Sequence, residues 1–197
     1  MRIYYDTEFL EDGKTIELIS IGMVAEDGRE LYAVNEDISK DPLHERICKH
    51  QWLMENVVPH LPLATGATRS HGRVPMSMAY RGFFNLDMTS NAVMPLRMIR
   101  NAVRDFVLGT DPDVLPDVEL WAWYGAYDHV ALAQLFGRMI NLPEGMPMWT
   151  NDLRQECARL GNPPLPEQPD GVHNALADAR HNLVRAQALE ALAAKEG

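Results

Sequence analysis

The chain has 197 residues, 46% of them hydrophobic and 23% charged, with a formal net charge of −10. These proportions exclude a disordered chain, a collagen-like repeat and a coiled coil, and they fit a single domain over residues 1–197. The negative balance argues against coating nucleic acid by bulk electrostatics, but not against holding a nucleic-acid end at carboxylates and cations.

Three strand-like segments open the chain. Residues 2–5 are β-prone, 16–24 are rich in Ile and interrupted by Gly22, and 31–34 follow a turn at Asp27-Gly28. Two β-runs joined through Asp-Gly predict a hairpin, so the N-terminal part reads as a three-stranded antiparallel meander. A helix is expected over about 42–54, with Asp41 as its N-cap and Pro42 at its first position. From 59 to 95 no period holds, and a loop of that length is usually functional, part of an interface or partly disordered. A second helix is expected from near Ser90 or Pro95 to Leu108, with Met98, Ile99, Ala102, Val103 and Phe106 as its apolar stripe. Residues 118–124 read as a buried strand and about 127–140 as a helix. A short helix over 153–160 is capped by Asn151 or Asp152 and closed by Gly161, and a last helix covers 174–194. The order predicts a mixed α/β sheet flanked by helices. The longest apolar stretch, 18–25, is far too short to span a bilayer. Asp6 and Glu8 interrupt any leader-like run, so the expected location is the cytoplasm. Cys48 and Cys157 are too far apart for a metal-type spacing and read as reduced thiols.

Three acidic segments carry the chemistry. In Asp6-Thr7-Glu8 the two carboxylates leave one face of a strand, and a hard divalent cation would relieve their repulsion. Asp128 follows a strand and a glycine turn at Gly125 and opens a helix, where an acid also complements the helix dipole. In the segment 173–178, Asn174 can cap the last helix, which puts Asp178 one turn in and His173 in the preceding loop. Each segment alone has an ordinary structural explanation as a solvated strand end, a dipole partner or a capping loop.

Together they are specific. D-x-E on the first strand, Tyr127-Asp128 opening a middle helix and H-x-A-x-x-D opening the last helix resemble the DEDD exonuclease superfamily, in its histidine-bearing DEDDh branch. The run 5–13, YDTEFLEDG, and the run 121–128, WAWYGAYD, are similar to a narrower group of small bacterial exoribonucleases, the RNase AS type, which trim adenylate-rich RNA 3′ ends. Where many members carry Asn before the second-motif aromatic, this chain has Trp123 and Tyr124, and it has Phe9 where a small residue is common.

The resemblance implies an RNase H-like fold, a homodimer and two divalent ions, Mg²⁺ or Mn²⁺. Asp6 would bridge both ions, Glu8 and Asp178 would complete the first, and Asp128 would hold the second. His173, with an ordinary pKa near neutrality, would be the general base. The substrate would be the 3′ end of single-stranded RNA, cut to nucleoside 5′-monophosphates. A DNA exonuclease and an inactive nucleic-acid-binding scaffold are the alternatives. Phe9 either wedges against the terminal base or packs into the core, and the backbone of residues 7–10, Thr7 and Leu10 included, is placed to meet sugar or base. Trp121 and Trp123 read as core or sheet-face residues, and His181 as lying on a helix face. Between Thr65 and Arg104 six arginines face one acid, Asp87. Arg97, Arg100 and Arg104 have the spacing of a solvated helix face. Arg69, Arg73 and Arg81, in the irregular loop, are expected near RNA phosphates, with that loop at the dimer interface.

Overall fold

The computed structural model describes residues 1–64, 83–111 and 113–196. The meander is present as β1 (Arg2–Glu11), β2 (Ile16–Ala25) and β3 (Glu30–Asn35). Gly28, at φ +90°, makes the turn between β2 and β3. β1 runs well beyond its expected end at Tyr5. Its register on β2 carries through Asp6-Thr7-Glu8 and shifts between Glu8 and Phe9.

Two strands of two residues each complete the sheet. β4 (Val93–Met94) lies beside β3 and β6 (Asn151–Asp152) beside β5 (Glu119–Ala122). The sheet is six-stranded and mixed, in the order β4-β3-β2-β1-β5-β6, with β5 parallel to β1.

Where a helix over 42–54 is expected, the chain forms two, α1 (Leu43–Lys49) and α2 (Gln51–Asn56). His50 separates them because its extended backbone ends α1 while its ring Nδ1 accepts the Leu53 amide at 3.3 Å. Pro42, rather than Asp41, is the residue before α1, and no side chain caps that end. α3 (Leu96–Leu108) and α5 (Leu153–Arg159) lie close to expectation, and Asp152 caps α5. α4 (Ala126–Gln134) stops short of 140, before Gly137 at φ +86°. α6 runs over Ala175–Glu196.

Alternation along β1 sorts the layers. Ile3 and Tyr5 point into a core shared with Ile99, Val103, Phe106 and Val107 of α3 and with Ala131 and Leu132 of α4. Tyr4 faces the other way, towards Leu153 and Cys157 of α5 and Ala186 and Leu189 of α6. Leu10 joins a third cluster with Ile19, Val34 and the α1–α2 residues Ile47 and Leu53. Both cysteines are free and buried. Among the described residues no helix is long and apolar enough to cross a membrane.

One close approach positions the site. A Cβ on Gly22 would lie 2.2 Å from the Ala175 carbonyl oxygen, so only glycine lets the first turn of α6 press onto β2 there. Gly22 is the register partner of Asp6. The same contact therefore sets α6 beside the acidic stretch of β1. Asn182, one turn beyond Asp178, fastens the two by donating to the Tyr5 carbonyl at 3.0 Å.

Candidate active site

Asp6, Thr7, Glu8, Phe9, Asp128, His173 and Asp178, scattered over the sequence, line one cavity of about 950 Å³. Each acid arrives on its own support. Asp6 and Glu8 project from β1. Asp128 sits in the first turn of α4, where Thr7 holds it: the Thr7 amide and hydroxyl both donate to Asp128 Oδ1, at 2.8 and 2.7 Å. Asp178 sits in the first turn of α6, whose Asn174 side chain accepts the Ala177 amide at 3.1 Å. Gln168 Nε2 donates to Asp178 Oδ1 at 2.7 Å and the His173 amide donates to its Oδ2 at 2.8 Å.

His173 adopts φ +68°, a left-handed conformation that costs a residue with a Cβ about 1 kcal/mol or more. Its ring meets the edge of Trp52, on α2, with centroids 4.7 Å apart. The strain is thus held in place from two sides, by the hydrogen bond from the His173 amide to Asp178 and by the indole.

The electrostatics are those of acids lacking enough cations. Burial, followed by the negative charges of Asp178 and Asp128, pushes Glu8 up to about 8. Burial raises Asp128 to about 6 against the lowering effect of the two Thr7 hydrogen bonds. Asp6 lies well above the usual carboxylate range because it is desolvated and faces Asp128, Glu8 and Asp178. Asp178 is raised by burial too. Arg185, two turns beyond Asp178 on α6, and His173 act against this rise: both lower Asp178, and Arg185 also lowers Asp6. Burial lowers the Arg185 pKa while Asp178 and Asp6 act to raise it, and its guanidinium lies 4.6 Å over the Trp123 ring.

The donor set fits divalent ions of hard character. Oxygen ligands dominate, and ligand atoms of Glu8, His173 and Asp178 all lie within 4.8 Å of one another. The walls are aromatic: Trp52, Tyr124 and Tyr127 line the cavity while 46%, 65% and 51% exposed. Phe9 is half-buried and meets Tyr127 edge-on at 6.0 Å, so it faces the cavity rather than the core.

Several expectations need correction. Leu10 does not line the cavity; it is 4% exposed within the α1–α2 core. Thr7 has its amide and hydroxyl committed to Asp128, which makes it a support for an acid rather than a donor to substrate. Trp123 lines the cavity as well as packing below the sheet, whereas Trp121 stays in that core. His181 lies on α6 as expected, and it is buried there, its Nε2 3.1 Å from the Pro166 carbonyl oxygen. Arg69, Arg73 and Arg81 lie outside the described residues. Trp52, Gln168 and Arg185 escape sequence reasoning; of these only Arg185 leaves a trace, at seven residues from Asp178 on the same helical face.

No family model matches the chain. It is 44% identical over 187 residues to a 3′-5′ exoribonuclease of Mycobacterium tuberculosis strain H37Rv, covering 94% of this chain and 90% of that one. The counterpart in strain CDC 1551, also a 3′-5′ exoribonuclease, matches with the same figures. Among solved structures, the yeast NOT1 MIF4G domain co-crystallized with CAF1 aligns at TM-score 0.40 and 11% identity, over 96% of this chain and 80% of that one. That likeness is too slight to bear on the assignment.

Proposed function

The chain belongs to the family of these 3′-5′ exoribonucleases, and from that premise we propose that it removes nucleoside 5′-monophosphates from the 3′ ends of single-stranded RNA as a single-domain, RNase H-like enzyme of the DEDDh type. The observation that carries this reading is the gathering of Asp6, Glu8, Asp128, Asp178 and His173 around one aromatic-walled cavity. Adenylate preference and a homodimer complete the reading, both from the likeness of residues 5–13 and 121–128 to the RNase AS group.

Asp6, Glu8, Asp128 and Asp178 would hold two divalent ions, Mg²⁺ or Mn²⁺, which when bound neutralise the acids and polarise the scissile phosphate and the attacking water. The chain's own residues do the rest. His173 takes the water's proton at a ring nitrogen as the water oxygen attacks the last phosphorus. The bond from that phosphorus to the 3′ oxygen of the preceding nucleotide breaks, leaving a 3′-hydroxyl and a free 5′-monophosphate. Trp52 braces the imidazole for that transfer. Phe9 and Tyr127 offer ring surfaces on which terminal bases stack, at roughly 1–3 kcal/mol per base.

The test is incubation of the purified protein with end-labelled RNA and DNA oligonucleotides of each base, with Mg²⁺, Mn²⁺ or EDTA. Release of 5′-monophosphates from RNA only with metal is the expected result, fastest from oligoadenylate. Equal cutting of DNA would make it a general 3′-end exonuclease, and binding without cutting would make it a scaffold. Sedimentation of the protein as a monomer would remove the homodimer from this reading.

A further inference from the structure

A second cavity, of about 460 Å³, is lined among others by Glu17 and Leu18 of β2, Arg97 and Arg100 of α3, and Ala131 and Gln134 of α4. It is related to the acidic cavity through the sheet and through α4. Phe9 of the first is the register partner of Leu18 of the second, so these side chains stand side by side on one face of the sheet. On α4, Tyr127 and Asp128 line the first cavity, and Ala131 and Gln134 follow one and two turns later. At a rise of 1.5 Å per residue, Asp128 and Gln134 are about 9 Å apart along the axis.

The charges of the second cavity are unlike those of the first. Its acids already have cations: Glu17 pairs with Arg46, and Asp37 with Lys40 at 2.9 Å. Its arginines do not. Both are exposed, and among the described residues neither Arg97 nor Arg100 has a carboxylate partner; Arg100 reaches only the neighbouring Asn101 amide oxygen, at 3.4 Å. Arg104, at the next position of the same spacing, is by contrast tied to Asp105 at 2.7 Å. The start of α3 opens here as well, without a side-chain cap, which adds the positive end of a 13-residue helix. Leu18, Leu96 and Leu135 supply an apolar floor.

We propose that this second cavity is a phosphate-binding subsite for the body of a single-stranded RNA whose 3′ end lies in the acidic cavity, with Arg97 and Arg100 as its cations. The inference rests on the exoribonuclease reading. A strand passing the Phe9 ring crosses directly to Leu18 and the two guanidinium groups, so one polyanion satisfies both cavities. Acids repel that polyanion at its cut end until ions bind, and the arginines hold it further back.

The experiment measures kcat/KM on oligoadenylates two and eight nucleotides long, and binding of a fluorescent octamer in EDTA over a range of salt. The wild-type chain should favour the octamer. In R97A/R100A the ratio of octamer to dinucleotide rates should collapse towards one. The log–log salt slope of binding should flatten by about 1.4, two contacts at about 0.7 each, which is about a 25-fold loss of affinity at 0.1 M salt. R97K/R100K should restore most of the slope, and R104A should retain the wild-type length preference. An R97A/R100A variant with wild-type length preference and salt slope would overturn the subsite. Failure of the wild-type chain to cut either oligonucleotide would instead overturn the exoribonuclease reading, with the salt slope still deciding whether the arginines contact RNA.

Discussion

Glu30 on β3 and Glu8 on β1 are the same side chain in opposite circumstances, and α6 meets both. Arg180 of α6 donates to both Glu30 oxygens, at 2.8 and 2.5 Å, and this pairing holds the carboxyl below its usual range. Asp178, two residues earlier on the same helix, brings a second negative charge to Glu8, and burial together with that charge and Asp128's pushes it up to about 8. The pattern extends beyond the pair. Asp12, Asp27 and Glu156, on the surface, are all lowered by hydrogen bonds, while all four acids of the cavity are raised. The fold therefore satisfies these surface carboxylates with hydrogen bonds, and it buries the four of the cavity together with too little positive charge to relieve them. Concentrated, unrelieved charge of this kind is what makes this cavity the candidate functional site.

Substitutions that remove charge from each side test the contrast. Asp6→Asn should abolish RNA hydrolysis while the circular dichroism spectrum stays that of the wild type, and its melting temperature in EDTA should equal or exceed the wild-type value. A lost spectrum would show Asp6 to be structural. His173→Ala should lower the rate by about 10²–10⁴-fold, the range for a general base, with RNA binding in EDTA little changed. An unaltered rate would take His173 out of the mechanism.

Metal linkage is the next effect in size. Saturating Mn²⁺, at about 100 times its dissociation constant, should stabilise the fold by about 2.7 kcal/mol, read as a rise in melting temperature. The rise should be larger at pH 8 than at pH 5. Glu8 and Asp128 have folded pKa values near 8 and 6, above their ordinary 4.5 and 3.8. Their contribution to stability is therefore whole below about pH 4 and is lost as pH climbs through 6 and then 8, which is where bound cations restore most. Glu8→Gln in EDTA should flatten the upper part of that pH dependence, and a curve superimposable on the wild type would contradict the charge account. Smallest of all, Glu30→Gln should cost no more than about 1 kcal/mol in a denaturant titration and leave hydrolysis unchanged, as exposed ion pairs do.

The sequence is most legible where structure is local. Asp27-Gly28 announces its hairpin, Asp152 its helix, and Asn174 the start of α6, because the residues that make each turn or cap are neighbours in the chain. β4 and β6 are invisible to it, since two residues carry no alternation and these strands exist only by lying against β3 and β5. β1 reads short because Asp6 and Glu8 look like a strand end, yet they are held inside the sheet by β2. The split of α1 from α2 at His50 depends on one ring nitrogen accepting one amide, which no periodicity reports. The site divides in the same way. Asp6, Glu8, Asp128, His173 and Asp178 stand out through motif order and spacing. Trp52 and Gln168 do not, because what makes them matter is contact with His173 and Asp178, 121 and 10 residues away along the chain.

The seating of α6 on Gly22 has a consequence in time. Asp6 leaves the ribosome 172 residues before Asp178, an interval of roughly ten to thirty-five seconds at ordinary elongation rates. During that interval β1 and β2 can pair, but the His173–Asp178 end of the cavity has not yet been made. On the proposed function, a nascent chain surrounded by messenger and ribosomal RNA lacks two of its five site residues until α6 docks. Gly22 makes that docking possible, so it acts as the latch between synthesis and activity.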